Sequence, residues 1–300
     1  MSAYGSASTA DQIKGLVDRG LVIPDADFAV RCLTHIGYHR LRSYWIPFRS
    51  SRESAARFRT GASFDQVITL YMFDQRLRSL LLEALSYVEI SVRSQWSILV
   101  AQSSNRGEFA LQDASLFDQA YYAGNLQELE RNYNQVRKQN RIRFQDASIW
   151  DITPTMSFGI LSKWFSTLTD QRLRQSISDN YGVDETILEN ILKHLALVRN
   201  ISAHHERVWN RAMEISLARP RRLGGSSGLA LGFNAGDSRK VYNTLVIVVY
   251  LLDIIIPNGD WAERLIAFRE AVSDNSAPYR RMGFPTGWRE FAIWQKHLPK

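Results

Sequence analysis

The chain has one cysteine, Cys32, among its 300 residues. An intramolecular disulfide is therefore excluded. A lone thiol that packs as a small buried hydrophobe fits a reducing compartment. There is no CxxC and no Cys/His cluster of zinc-binding spacing, so no metal and no cofactor are expected. Long hydrophobic runs are missing too. The most apolar one, "LVIVVYLLDIII" at 245–256, contains Asp253 and is about half the length a bilayer needs. It reads as a core helix, and no membrane partner is expected. The N-terminus, "MSAYGSASTADQIKG", lacks a basic region followed by an apolar one, which predicts a cytoplasmic protein without a signal peptide. Strand-like alternation and fixed-period repeats are also absent.

What is present suits a globular protein, with 45% hydrophobic and 22% charged residues. The formal charge of +7 tilts the chain weakly toward a polyanionic partner. Helical signals run through it. "STADQIKGLVDRGL" has Ser8 or Thr9 to cap it and Gly20 to end it. A second helix follows Pro24 and stops at Gly37. "YHRLRSYWIPFR" mixes aromatics with arginines and is interrupted by Pro47, and 50–62 reads as a loop. From Ser63 to about residue 102, Val67, Leu70, Tyr71, Leu77, Leu81, Leu85, Val88 and Val92 recur at helical steps, which predicts the spine of a bundle.

A polar break at 103–115 precedes a helix from Asp118 with a basic end, Arg137 to Arg143. Two short helices are expected around Pro154 and a long helical stretch over 183–215. A Gly/Ser-rich loop, 219–238, is expected to be mobile, and helices at about 239–256 and 260–274 follow. The fold class is all-α, a helical bundle. It divides into an N-terminal helical extension (1–62), a helical domain (63–275) and an irregular tail (276–300).

The segment richest in chemistry is "LVRNISAHHERVWNR", 197–211. On a continuous helix Asn200, His204, Arg207 and Arg211 fall on one wholly polar stripe. His205 falls beside Ile201, Val208 and Trp209 and is expected to be half-packed. Arg199 lies about 140° from His204, so the two converge only through the arginine stem, a bend, or a second chain. A polar stripe reads as a solvated helix face or as a phosphate site. In a phosphate site a histidine passes a proton and an arginine holds the charge building on phosphorus.

"RNISAH" resembles the R-x4-H motif of the HEPN ribonuclease superfamily, with its polar residue after the arginine. The longer "LVRNISAHHERVWNR" resembles the C-terminal signature of the Abi-like abortive-infection proteins (AbiD/AbiF type). "HIGYHRLRSYWIPFR", "LYMFDQRLRSLLLEALSYVEISVRS" and "IWDITPTMSFGILSKWFSTL" agree with that family in order and spacing. The resemblance implies a HEPN-like helical bundle with Arg199 and His204 as the catalytic pair, Asn200 at the polar position and His205 as a supporting histidine. It implies a metal-independent endoribonuclease of phage defence, a toxin in effect. The reaction is 2′-OH attack leaving a 2′,3′-cyclic phosphate. One histidine cannot both remove and donate a proton in one step, so a homodimer with a composite site is implied. The partners are RNA and, in some family members, a neutralising RNA or protein.

Arg207 and Arg211 read either as RNA-backbone contacts or as a solvated surface. Glu89 and Arg93 read as a helix-stabilising ion pair or as a brace for the motif. Tyr38, His39, Arg42 and Tyr44 read as a packed cap or as a base-stacking platform. His194 is read as structural or exposed, and the eight tryptophans mostly as core anchors. The rival readings of function are a non-catalytic HEPN-type RNA-binding or assembly protein and a plain helical scaffold.

Overall fold

The computed structural model describes residues 8–50, 57–137, 142–218, 232–271 and 281–298. Among them the secondary structure is helical, with only isolated bridges such as Val22–Ser63 in place of strands. The all-α reading therefore stands. No described helix is long and apolar enough to cross a membrane.

Three N-terminal helices, α1 (Thr9–Val17), α2 (Ala26–His35) and α3 (Tyr38–Leu41), lead into α4 (Phe64–Ser103). Ser8 and Asp25 cap the first two through their side chains. Gly37 takes φ +90° between α2 and α3, a turn in which any side chain would be strained. The 40-residue α4 opens with a capping box of Ser63 and Gln66 and extends roughly 60 Å. It is the spine, in contact with α3 and with most of the later helices. The expected stripe, from Val67 to Val92, is buried except for Tyr71, which is half-buried.

Next come α5 (Gln119–Val136), α6 (Ile149–Ile152), α7 (Phe158–Ser166), α8 (Gln171–Asp179), α9 (Glu185–Ala203), α10 (Val241–Ile255), α11 (Trp261–Glu270) and α12 (Ala292–Gln295). The apolar run is α10, and its residues from Val241 to Val249 are all buried. Seven tryptophans are buried and Trp150 is exposed. Cys32 is buried as expected, and burial raises its thiol pKa.

Two helical expectations need correction, and one helix is not among those expected. The stretch over 183–215 is helical only to Ala203. Helix α8 has its own cap, Asp170, and is absent from the sequence reading because its nine residues hold few apolar ones. The helix from Asp118 stops at Val136; of its expected basic end, residues 138–141 lie outside the described residues. Most of the expected Gly/Ser-rich loop, 219–231, also lies outside them, as do residues 51–56 of the expected loop at 50–62.

Candidate functional site

Asn200, His204, Arg207 and Arg211 do not share one helical stripe, because α9 ends at Ala203. His204 is the C-cap residue of α9 and His205 takes φ +58°. His205 N–H donates to the Ser202 carbonyl at 3.2 Å and Glu206 N–H to the Ile201 carbonyl at 2.9 Å. This pair of bonds is a Schellman motif with histidine in the left-handed position that glycine usually fills. Both histidines are exposed. His205 is thus not half-packed: the turn swings it away from Ile201, Val208 and Trp209, which are buried. Arg207 and Arg211 likewise leave the stripe of His204. Arg40 Nη1 donates to the His205 carbonyl at 2.5 Å and pins the turn from outside.

A buried carboxylate fixes the chain after the turn. Asp74 of α4 is fully buried. Its Oδ1 accepts the backbone N–H groups of Val208 at 3.2 Å and Trp209 at 2.6 Å. Its Oδ2 accepts the Tyr44 hydroxyl at 2.6 Å and the guanidinium of Arg78. Burial pushes the Asp74 carboxyl up, and its donors, Tyr44 first, pull it back. The Tyr44 hydroxyl is pushed well above its ordinary range by burial and by Asp74. A buried charge is tolerable only when so fully paired. Asp74 and Arg78 were not singled out from the sequence, though charges on the buried stripe of α4 were a visible signal.

Arg199 stands on α9 with its side chain 35% exposed. Its Nε lies 3.7 Å from Oε2 of Glu89 on α4. Glu89 also pairs with Arg93, which donates to the Met156 carbonyl at 2.5 Å. Both sequence readings of Glu89 therefore hold: it pairs within its helix and it braces Arg199. Burial lowers the pKa of Arg93, and the nearby charge of Arg199 adds to that. Two guanidiniums share one carboxylate, so a positive charge is left over beside the half-exposed Arg199. Asn200 Oδ1 accepts a long contact from Arg199 at 3.4 Å. Among the described residues no hydrogen bond joins Arg199 to His204.

The remaining residues divide by burial. Tyr38 and Tyr44 are buried, which excludes them as a stacking platform, whereas His39 and Arg42 are exposed. Arg207 donates to the Ser43 carbonyl at 3.2 Å and lies 6.0 Å from the Trp209 ring. Arg211 pairs with Glu206 at 2.6 Å and approaches Glu214 at 3.5 Å. His194 is structural: Nδ1 contacts the Ile215 carbonyl at 2.6 Å and Nε2 the Thr244 hydroxyl at 2.8 Å. Burial lowers its pKa to about 4.

The family model described as "Abi-like protein" matches residues 31–210, more than half of the chain. The match begins within α2 and ends one residue past Trp209, so it encloses Tyr44, Asp74, Arg78 and the α9 turn. No curated protein and no solved structure matches significantly.

Proposed function

The chain belongs to the Abi-like family, and on that premise we propose that it is a metal-independent endoribonuclease of the HEPN type that acts in abortive infection. Its catalytic pair is Arg199 and His204, with Asn200 and His205 in support. One observation carries the reading. An arginine braced by Glu89 at 3.7 Å stays accessible on the helix whose final cap is an exposed histidine. The arginine is held by a carboxylate and retains donors for a phosphate, and the histidine ring is unhindered.

In the proposed reaction the ribose 2′-oxygen attacks the adjacent phosphorus. The O2′–P bond forms, the P–O5′ bond breaks, and Arg199 stabilises the charge on the phosphoryl oxygens. One His204 takes the 2′ proton, and a second protonated His204, from another copy of this chain, gives a proton to the departing 5′-oxygen. The products are a 2′,3′-cyclic phosphate and a 5′-hydroxyl. DNA, without the nucleophile, is not cut.

The test is cleavage of total bacterial RNA by the purified protein in EDTA, beside His204→Ala. The wild type is expected to leave cyclic-phosphate ends, and the variant to be slower by about a hundredfold or more. Light scattering is expected to give twice the chain mass. Equal cutting by both proteins, or no cutting with RNA binding intact, sinks the reading.

A further inference from the structure

Two clefts flank the turn that ends α9. The first has a volume of 710 Å³ and lies between α3 and residues 205–211, with His39, Arg40, His205, Glu206, Arg207 and Arg211 in its walls. The second, of 400 Å³, is walled in part by Arg40, Arg78, Ser202 and His205. Arg40 and His205 border both, and their hydrogen bond is the bar between them. Ser202 is 1% exposed, and among the described residues its hydroxyl has no hydrogen-bond partner.

The charges in the first cleft do not cancel. Its one carboxylate, Glu206, is taken by Arg211, which also approaches Glu214. Arg207 contacts a neutral carbonyl and an indole face. Arg40 contacts a neutral carbonyl with one of its five N–H donors. Among the described residues neither Arg40 nor Arg207 has an acidic partner. Two uncompensated guanidiniums and two exposed imidazoles thus face one concavity, where the field is concentrated. The chemistry this recognises is an oxyanion, and on a flexible polymer a phosphodiester.

We propose that this cleft is the groove for the RNA backbone and that Arg40, supplied by the N-terminal segment, is its principal phosphate contact, with Arg207 beside it. The proposal rests on the ribonuclease reading for the identity of the polymer. It assigns a role to a residue 159 positions before Arg199 in the chain. It also gives Arg211 a lesser part, since that guanidinium is already engaged by carboxylates. By holding the His205 carbonyl, Arg40 ties phosphate binding to the geometry of the turn beside His204.

The test uses the full-length protein and a 20-nucleotide single-stranded RNA carrying 2′-O-methyl groups, which 2′-OH attack cannot cut. Binding is read by fluorescence anisotropy across a salt series. Arg40→Ala is expected to weaken Kd about tenfold. It should also lower the slope of log Kd against log salt by about 0.7, with an unchanged circular-dichroism spectrum. Arg40→Lys is expected to recover the slope, and Arg172→Ala, on α8, to behave as wild type. The groove is overturned if Arg40→Ala keeps the wild-type affinity and slope, or if Arg172→Ala loses as much. It is overturned as well if the wild type binds no RNA, which leaves the cleft to an acidic protein segment. Unmodified RNA in EDTA, run in parallel, separates the two claims. Binding that depends on Arg40 without any cleavage removes the nuclease and keeps the groove. Cleavage with binding indifferent to Arg40 does the reverse.

Discussion

Asp74 and Trp209 stand 135 residues apart in sequence, yet the Asp74 carboxylate accepts the Trp209 backbone N–H at 2.6 Å. The same carboxylate holds Tyr44, Arg78 and the N–H of Val208. Three segments that carry the family resemblance therefore meet at one buried group. Asp74→Asn is expected to destabilise the protein by about 3 kcal/mol, because Arg78 is left as a buried charge without its partner. Tyr44→Phe is expected to cost about 1.5–3 kcal/mol, the value of one hydroxyl donated to a carboxylate. Urea unfolding measures both. A loss below 1 kcal/mol for Asp74→Asn would show that the network does not hold the turn.

Glu89 pairs with both Arg93 and Arg199, and in the proposed reaction its charge would orient Arg199. Glu89→Gln keeps the size and removes the charge. RNA cleavage by this variant is expected to fall about ten- to a hundredfold, in kcat more than in KM, with the fold retained. A fall in apparent kcat that merely follows lost stability would reduce Glu89 to a helix-stabilising residue.

His205 occupies a backbone conformation that favours glycine. His205→Gly is expected to raise stability by about 0.5–1 kcal/mol, whereas His205→Ala does not. Cleavage is expected to drop less in either variant than in His204→Ala. Destabilisation by glycine, seen in urea melts, would mean that the His205 side chain contributes more to folding than its exposure suggests.

The pH dependence of stability follows from His194. Its folded-state pKa is lowered to about 4 by burial, below the ordinary 6.5. Between those values the unfolded chain binds a proton that the folded one refuses. The stability that His194 contributes is therefore expected to be complete above pH 6.5 and to fall as the pH drops toward 4, by roughly 3 kcal/mol over the window. Unfolding midpoints in urea at pH 7, 6 and 5 should decline in the wild type. They should decline less in His194→Gln, whose overall stability is lower. Parallel pH profiles would assign the slope to other groups.

Local sequence determined most of the helices. The α4 stripe, its Ser63 cap, the mostly apolar α10 and the R-x4-H segment of α9 are each written in neighbouring residues, because helical periodicity and capping are short-range effects. Helix α8 escaped that reading because its residues carry little apolar signal. Only the tertiary structure decided where α9 ends. Val208 and Trp209 continue the apolar spacing of a helix, and no glycine or proline interrupts 201–209. They are buried, but their backbone N–H groups point to Asp74 instead of to carbonyls one turn back. A carboxylate on another helix, sealed from water, competes successfully for those donors, and Arg40 secures the turn from the far side. That competition set the exposure of both histidines and turned Arg207 and Arg211 away from His204. It depends on groups more than a hundred residues distant in the chain, which periodicity along the sequence does not register.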